Sequence, residues 1–229
     1  MKVLIVDGSL YPSFYEPTKH WAAELPPGTW TSVRLTADEG IPEIPSLEGF
    51  THLILTGSED RIVEPNPWHE VEARILQEAV DRDLAVLGSC FGHQMLARAL
   101  MGEDHTQASP TPEMGWVPIE LLEDDPLLSG LESPVWMFCS HFDEVVSPPE
   151  PWRVLAKSAD CAVQIMRFGH RRVWGIQAHP EIRPHWALPL LRGFLEKAPD
   201  KAHLIHPALK AKPRDDGAVL PLMKSFCAL

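Results

Sequence analysis

Gly88-Ser89-Cys90-Phe91-Gly92-His93-Gln94 joins an apolar, strand-like run (Leu84 to Leu87) to a helix-like run that extends from Phe91 to Met101. The small residues around Cys90 permit a sharp strand-to-helix turn that presents the thiol above a sheet. The same turn aims the free amides of the first helical turn, that of Phe91 first, at negative charge beside the sulfur. A buried cysteine is by default a small apolar residue, so this stretch alone leaves both interpretations open.

A second motif, His179-Pro180-Glu181, follows an alternating run from Arg172 to Ala178 that is typical of a strand. The residue before a proline prefers extended backbone, and residues two apart in extended backbone share a face. We therefore expect Glu181 to orient the imidazole of His179, which is the base that a nucleophilic cysteine needs. A surface histidine beside a loop glutamate is the alternative. Together with the Cys90 turn, the pair fits a nucleophile, base and orienter.

At these residues the sequence resembles the class I, or triad, glutamine amidotransferase family. The resemblance covers roughly the first four-fifths of the chain. Besides the two stretches above, it is carried by three motifs in the family's order: Leu55-Thr56-Gly57-Ser58, Met114-Gly115-Trp116 and Ser140-His141-Phe142-Asp143. It implies Cys90, His179 and Glu181 as the catalytic residues.

Composition sets limits on the class of protein. A chain of 229 residues, 45% hydrophobic and 23% charged, is long enough for one substantial core. No run approaches the roughly 18 apolar residues that cross a membrane, so we expect a cytoplasmic protein. The formal net charge of −12 disfavours binding to nucleic acid or to anionic lipid. The four cysteines lack the spacing of a zinc site or a disulfide framework.

Strand-like and helix-like runs alternate through the first half of the chain. Strands are predicted at Lys2 to Val6, Trp30 to Leu35 and Thr51 to Leu55, and helices around Thr18 to Leu25 and from Pro67, with Asn66 as its cap. This alternation predicts an α/β fold with a flavodoxin-like, open and mostly parallel sheet and helices on both faces. Gly57 and Cys90 then face one crevice at the carboxyl ends of the strands. Alternatively, Gly57 is an ordinary turn glycine.

After Gly102 the pattern changes to short alternating runs, which predict antiparallel additions to the sheet. They are Trp116 to Leu122, Val135 to Ser140, Trp152 to Lys157, Ala162 to Phe168 and Arg172 to Gln177, and the last two are typical of a hairpin. We expect Ser140 to Asp143 to form a loop at the rim of the site. His141 and Asp143 are a second candidate base and orienter, but the resemblance places catalysis elsewhere and favours a binding or structural role for them.

The end of the chain divides at about residue 198. After Pro184, apolar residues recur at helical spacing up to Lys197, which predicts a helix that closes the core. We therefore predict one domain of the class I type over residues 1–198. Residues 199–229 are predicted to be a C-terminal extension that either packs on this domain or is mobile.

The resemblance implies a mechanism of acyl transfer to a cysteine. Cys90 would attack the glutamine side-chain amide, the amides of Gly57 and Phe91 would hold the oxyanion, and His179 would protonate the departing ammonia. Gln94, one helical turn beyond Cys90, would bind the amino-acid end of the substrate. Ser140, His141 and Phe142 are further candidates for substrate binding. This chemistry needs no metal and no organic cofactor.

Three functions remain open. The first is a stand-alone glutaminase domain that resembles the amidotransferase portion of GMP synthase, and its partner would be a separate synthase subunit. The second is hydrolysis of γ-glutamyl peptides by the same triad. Ser58-Glu59-Asp60 follows Gly57 here, where many family members carry a second glycine and a proline, and its two acidic residues could attract the free amino group of a substrate. The third is a non-catalytic binding or regulatory protein. A homodimer of this chain is a further possibility that the sequence leaves open.

Overall fold

The fold is built on one mixed β-sheet, seen in a computed structural model that describes residues 1–36 and 40–229. Within these ranges nine strands are present: β1 Val3–Asp7, β2 Trp30–Arg34, β3 His52–Leu55, β4 Ala85–Ser89, β5 Thr106–Leu121, β6 Val135–Val145, β7 Trp152–Lys157, β8 Ile165–Phe168 and β9 Val173–Ile176. Their order across the sheet is β2-β1-β3-β4-β9-β8-β7-β5-β6.

The parallel half of the sheet carries the predicted fold. Strands β2, β1, β3, β4 and β9 are all parallel, in the order that is typical of flavodoxin-like sheets. Strands β8, β7, β5 and β6 extend this half as antiparallel neighbours, and β8 and β9 form the predicted hairpin. The predicted fold class is therefore confirmed.

Helices cover both faces of the sheet: α1 Pro17–Ala22, α2 Pro67–Asp81, α3 Phe91–Leu100, α4 Pro184–Lys197, α5 Ala202–Lys210 and α6 Val219–Ala228. Along β1, Leu4 and Val6 join the apolar cluster that includes α2 and α3, whereas Val3 and Ile5 join the cluster that includes α1 and α6. This alternation follows from the two-residue period of a strand buried on both sides.

The expected loop at Ser140 to Asp143 was wrong, because these residues lie inside β6. Strand β6 continues to Val145, and its residues pair with a β5 that begins at Thr106, ten residues before the predicted Trp116. The prolines in this part of β5 obscure the strand pattern. Pro110 and Pro112 fall in a register shift between Ala108 and Glu113, the kind of irregularity at which a sheet tolerates proline.

Helix α2 begins at Pro67 as predicted, but the side chain of Asn66 does not cap it. The Asn66 side-chain amide instead donates to Oδ2 of Asp60, 2.9 Å away. Asn66 thereby helps to fix the loop that follows β3, which lies beside the candidate site.

The segment from residue 199 onward contributes two helices with buried side chains. Ile205 and Ala208 of α5 join the cluster around α4, and Leu222 and Phe226 of α6 pack against the sheet. The division of the chain at residue 198 stays a prediction. Among the helices of the described ranges, none combines the length and the apolar character that crossing a bilayer requires.

Candidate active site

The pairing of β4 with β9 brings the two predicted catalytic motifs together. Ser89 at the end of β4 is in register with Ile176 at the end of β9, and the amide of Cys90 donates to the carbonyl of Ile176 over 2.8 Å. Cys90 is thus one residue, and His179 three residues, beyond the same point on neighbouring parallel strands. Both lie at the carboxyl edge of the sheet, where such folds bind their ligands.

The turn that carries Cys90 is strained and depends on the glycines around it. Cys90 has φ +48° and ψ −101°, a region that side-chain-bearing residues rarely occupy and that costs about 1–3 kcal/mol. A Cβ atom on Gly88 would lie 2.5 Å from the carbonyl oxygen of Gly92, and one on Gly92 would lie 2.5 Å from that of Leu55. The spacing of glycines around Cys90 is therefore a steric requirement of the turn.

His179 and Glu181 form the predicted pair. Nδ1 of His179 lies 2.8 Å from Oε1 of Glu181, whose side chain is fully buried and whose Oε2 also meets the Ser89 hydroxyl at 3.5 Å. Burial lowers the pKa of His179, but the charges of Cys90 and Glu181, with hydrogen bonds to both, raise it to about 10. The pair thus favours a proton on the imidazole, beside the sulfur of Cys90.

The other three cysteines are poorly suited to act as nucleophiles. Burial raises the pKa of Cys139 well above its usual value, that of Cys161 to about 12, and that of Cys227. These thiols stay protonated at neutral pH, and a protonated thiol is a weak nucleophile. All four cysteines are free of disulfides.

The two amides predicted to form an oxyanion hole lie next to the Cys90 turn. The amide of Gly92 donates to the carbonyl of Thr56 over 3.1 Å, which holds the loop after β3 against the start of α3. In the described part of the chain, neither the Gly57 amide nor the Phe91 amide is used in a hydrogen bond. Both are available to a developing negative charge.

Tyr15 is a site residue that the sequence did not reveal. Its hydroxyl lies 3.4 Å from Nδ1 of His179, and its ring meets the imidazole edge-on, with 5.9 Å between the ring centroids. The same hydroxyl would lie 2.5 Å from a Cβ atom on Gly57. Tyr15 therefore closes the site behind His179. It comes from the loop after β1, which carried no motif.

A small cavity of about 30 Å³ adjoins Cys90 and is lined by Ser58, Glu59, Asp60, Arg61, Gln94, Ser140, His141, Phe142, Asp143 and Phe194. The predicted binding residues Gln94, Ser140, His141 and Phe142 are thus brought together. This volume holds a water or two and no amino acid, so a substrate must displace a neighbouring group. Phe194 of α4 is one such neighbour. A wider hollow of about 720 Å³, lined by residues from 121 to 133, has neither cysteine nor histidine in its wall.

Gln94 and Ser140 contact the site in different ways. The side-chain amide of Gln94 donates to the carbonyl of Asp143 at 2.8 Å and to Oε1 of Gln177 at 3.2 Å. The carbonyl of Ser140 lies 3.7 Å from the sulfur of Cys90, and the Ser140 hydroxyl is buried without a hydrogen-bond partner among the residues described. A substrate could satisfy that hydroxyl.

His141 is not arranged as a second general base. Its Nδ1 lies 3.0 Å from the carbonyl of Asp143 and its Nε2 lies 2.9 Å from a carboxylate oxygen of Glu113. Both partners are acceptors, so either both ring nitrogens carry protons or Glu113 carries one. The carboxylate of Asp143, the candidate orienter, pairs with the Arg61 guanidinium instead. A structural role for His141 and Asp143 fits these contacts.

Glu113, Cys139 and His141 also bring three potential metal ligands within 4.8 Å of one another. Oxygens of Glu113 already accept hydrogen bonds from Ser158 at 2.6 Å and from Gln164 at 2.5 Å, in addition to the contact with His141. These hydrogen bonds account for the cluster as a buried polar network.

Comparison with known proteins finds similarity to one family over most of the chain. Residues 35–195 match the family model "Glutamine amidotransferase class-I". The chain is 37% identical over 111 residues to one subunit of the glutamine-hydrolysing GMP synthase of Sulfurisphaera tokodaii, a match that covers 48% of this chain and 58% of that protein. It is 30% identical over 139 residues to the same subunit from Methanothermobacter thermautotrophicus, which covers 61% of this chain and 74% of that one.

A solved structure extends the likeness of the fold to nearly the whole chain. The crystal structure of a glutamine amidotransferase from Thermotoga maritima superposes with a TM-score of 0.77 at 19% identity and covers 99% of this chain and 96% of that one. The family model spans more than half of the chain and includes both motifs at the carboxyl edge of the sheet. The chain therefore belongs to the class I glutamine amidotransferase family.

Proposed function

We propose that this protein hydrolyses the side-chain amide of glutamine to glutamate and ammonia, with Cys90 as nucleophile, His179 as base and Glu181 as orienter. The observation that carries the proposal is the meeting of the strained Cys90 turn with the His179–Glu181 pair at one edge of the sheet. This arrangement has the parts that covalent catalysis by a thiol requires.

The reaction begins with attack of the Cys90 sulfur on the amide carbon. The carbonyl oxygen becomes an oxyanion between the amides of Gly57 and Phe91, and each such donor is typically worth about 100- to 1,000-fold in rate. His179 gives a proton to the amide nitrogen, and the C–N bond breaks to release ammonia. A γ-glutamyl thioester remains on Cys90. Water, deprotonated by the same imidazole, then attacks the thioester carbon and releases glutamate.

We further propose that a separate synthase subunit consumes the ammonia. Two relatives are each named as one subunit of a GMP synthase, and the first of them is matched over 58% of its length. A separate synthase subunit would also account for the small size of the cavity beside Cys90, about 30 Å³, because docking of that subunit would widen the cavity for the substrate. Cytoplasmic localisation and a homodimer stay predictions.

Hydrolysis of γ-glutamyl peptides is the second candidate. It is compatible with the same cavity, because the free α-amino group that Glu59 in the cavity wall would attract is present in glutamine and in γ-glutamyl peptides alike. The same triad would cleave such a peptide through the same thioester, with an amino acid as leaving group in place of ammonia.

Side-by-side turnover separates these candidates. Glutamate release is measured from glutamine and from γ-glutamyl dipeptides, with wild-type protein and with Cys90→Ala, and Cys227→Ala serves as the matched control. The proposal predicts release from glutamine that Cys90→Ala abolishes and Cys227→Ala leaves unchanged. Turnover of peptides alone would replace the first candidate by the second. Activity that survives Cys90→Ala would contradict both.

A further inference from the structure

The wall of the cavity beside Cys90 carries charges that mostly neutralise one another. Arg61 donates from Nε to both oxygens of Asp143, at 2.9 Å each, and Asp143 is almost fully buried. His141 lies 2.9 Å from Glu113. The pair has no net charge whether the second proton is on the imidazole or on the carboxylate. Neither pair leaves a charge for a ligand.

Asp60 carries a negative charge, but its oxygens are already surrounded by donors. The amide of Arg61 donates to Oδ1 at 2.9 Å. The side chains of Asn66, Trp68 and His69 all reach Oδ2, at 2.9, 2.9 and 3.1 Å. These donors bind Asp60 to the start of α2, and this carboxylate therefore shapes the loop.

Glu59 differs from the other charged residues of the wall. Within residues 1–36 and 40–229, its hydrogen-bond partners are two main-chain amides, those of Leu10 at 2.8 Å and Tyr11 at 3.3 Å. Each oxygen accepts one hydrogen bond and keeps acceptor capacity. Burial raises the pKa of Glu59 to about 6, so the carboxylate is ionised at neutral pH. Glu59 thus supplies a fixed negative charge that no cation balances in the described chain.

We propose that Glu59 binds the α-ammonium group of the substrate and makes the site selective for glutamyl compounds with a free α-amino group. This inference rests on the proposed function, since it assigns a role within the same site. Glutamine and γ-glutamyl peptides both carry this ammonium group, and a partly buried carboxylate is the acceptor that such a group requires. Amides without it would leave the Glu59 charge desolvated and unpaired.

The test compares two amides that differ at one group. Glutaramate has the amide and the carboxylate of glutamine and lacks the α-amino group. We measure kcat/KM for both compounds with wild-type protein, with Glu59→Gln and with Glu64→Gln. Glu64 lies in the same loop, and its side chain is 70% exposed and 4.0 Å from Arg61, so its replacement removes a charge outside the cavity.

Wild-type protein should prefer glutamine, and Glu59→Gln should reduce that preference by about 10- to 100-fold, as expected for a hydrogen bond between charged groups. Glu64→Gln should keep the wild-type preference. A folded Glu59→Gln protein that retains the full preference would overturn the role of Glu59. Wild-type protein that hydrolyses neither compound would overturn the proposed function as well. Failure of the Glu59 role alone is thus recognised by retained hydrolysis with an unchanged preference, and failure of the proposed function by the absence of hydrolysis.

A second measurement needs no variant and covers the case in which Glu59→Gln does not fold. L-Glutamate and glutarate, which again differ by the α-amino group, are compared as competitive inhibitors of glutamine hydrolysis by the wild-type protein. We expect the inhibition constant of L-glutamate to be at least about 10-fold lower than that of glutarate. Equal inhibition by glutarate would overturn it.

Discussion

The α-carbon of Gly57 faces the imidazole of His179 so closely that a Cβ atom there would lie 2.6 Å from Cε1. The main chain that supplies one candidate oxyanion donor is therefore packed directly against the candidate base. This contact couples the loop after β3 to the segment after β9.

Replacement of Gly57 by alanine should therefore disturb catalysis more than folding. The new methyl group must displace both His179 and Tyr15, and misplacement of a catalytic group by about 1 Å can cost about 100-fold in rate. We expect kcat for glutamine hydrolysis to fall by at least this factor while circular dichroism and the midpoint of thermal unfolding stay near those of the wild type. A kcat within a few-fold of wild type would show that the two groups are not in contact during turnover.

Tyr15 should act as a positioning residue for His179. Its hydroxyl lies 3.4 Å from Nδ1, where it accepts part of the hydrogen bond that the imidazolium donates to Glu181. Tyr15→Phe keeps the ring and removes this acceptor, so the pKa of His179 should fall and the alkaline limb of the kcat/KM profile should move to lower pH. Tyr11→Phe is the matched control, because Tyr11 is exposed. Identical profiles for both variants would count against the role of Tyr15.

Glu181→Gln tests the orienter. It removes a charge that raises the pKa of His179 and replaces an acceptor with a group that can also present a donor to Nδ1. Proton transfer by a positioned side chain is typically worth about 100- to 10,000-fold in rate, and we expect kcat to decrease by a factor in that range. Glu196→Gln, an exposed change in α4, is the control and should leave kcat unaltered. Near-normal turnover by Glu181→Gln would mean that another group orients the imidazole.

Glu72 should make stability depend on pH. Its side chain is fully buried in α2, neither carboxylate oxygen has a partner in the described chain, and burial raises its pKa to about 8. Between pH 4.5 and 8 the folded state keeps a proton that the unfolded state has lost, so stability falls as pH rises across this window.

Urea unfolding of wild type and Glu72→Gln at several pH values measures this effect. The difference in unfolding free energy should shift in favour of Glu72→Gln by up to about 1.4 kcal/mol per pH unit within the window, and then level off. The glutamine variant removes the titration and keeps the shape of the side chain. A difference that does not change with pH would show that Glu72 titrates normally in the folded protein.

The parts of the site that could be predicted from sequence are those with local causes. The turn at Cys90 requires Gly88 and Gly92, which lie two residues away on either side. His179 and Glu181 share a face because extended backbone alternates. The alternation of strands and helices likewise placed Gly57 and Cys90 at one edge of the sheet.

The remaining parts depend on contacts between distant segments. Tyr15 meets His179 across 164 positions of sequence, from a loop without periodic pattern. The partner of His141 is Glu113, which lies in a stretch of β5 where prolines obscure the strand pattern. Asn66, followed by Pro67, is predicted to cap α2, but its side chain makes no capping hydrogen bond and its amide donates to the carboxylate of Asp60.

The most direct test of the central claim is the site of covalent labelling by 6-diazo-5-oxo-L-norleucine, a reactive analogue of glutamine. Intact-mass and peptide mass spectrometry of the folded protein should find one adduct, on Cys90, that excess glutamine prevents and that Cys90→Ala abolishes. The buried thiols Cys139 and Cys161, whose pKa values are raised, serve as internal controls and should stay unmodified. An adduct on another residue, or a folded protein that hydrolyses glutamine without labelling at Cys90, would contradict the account.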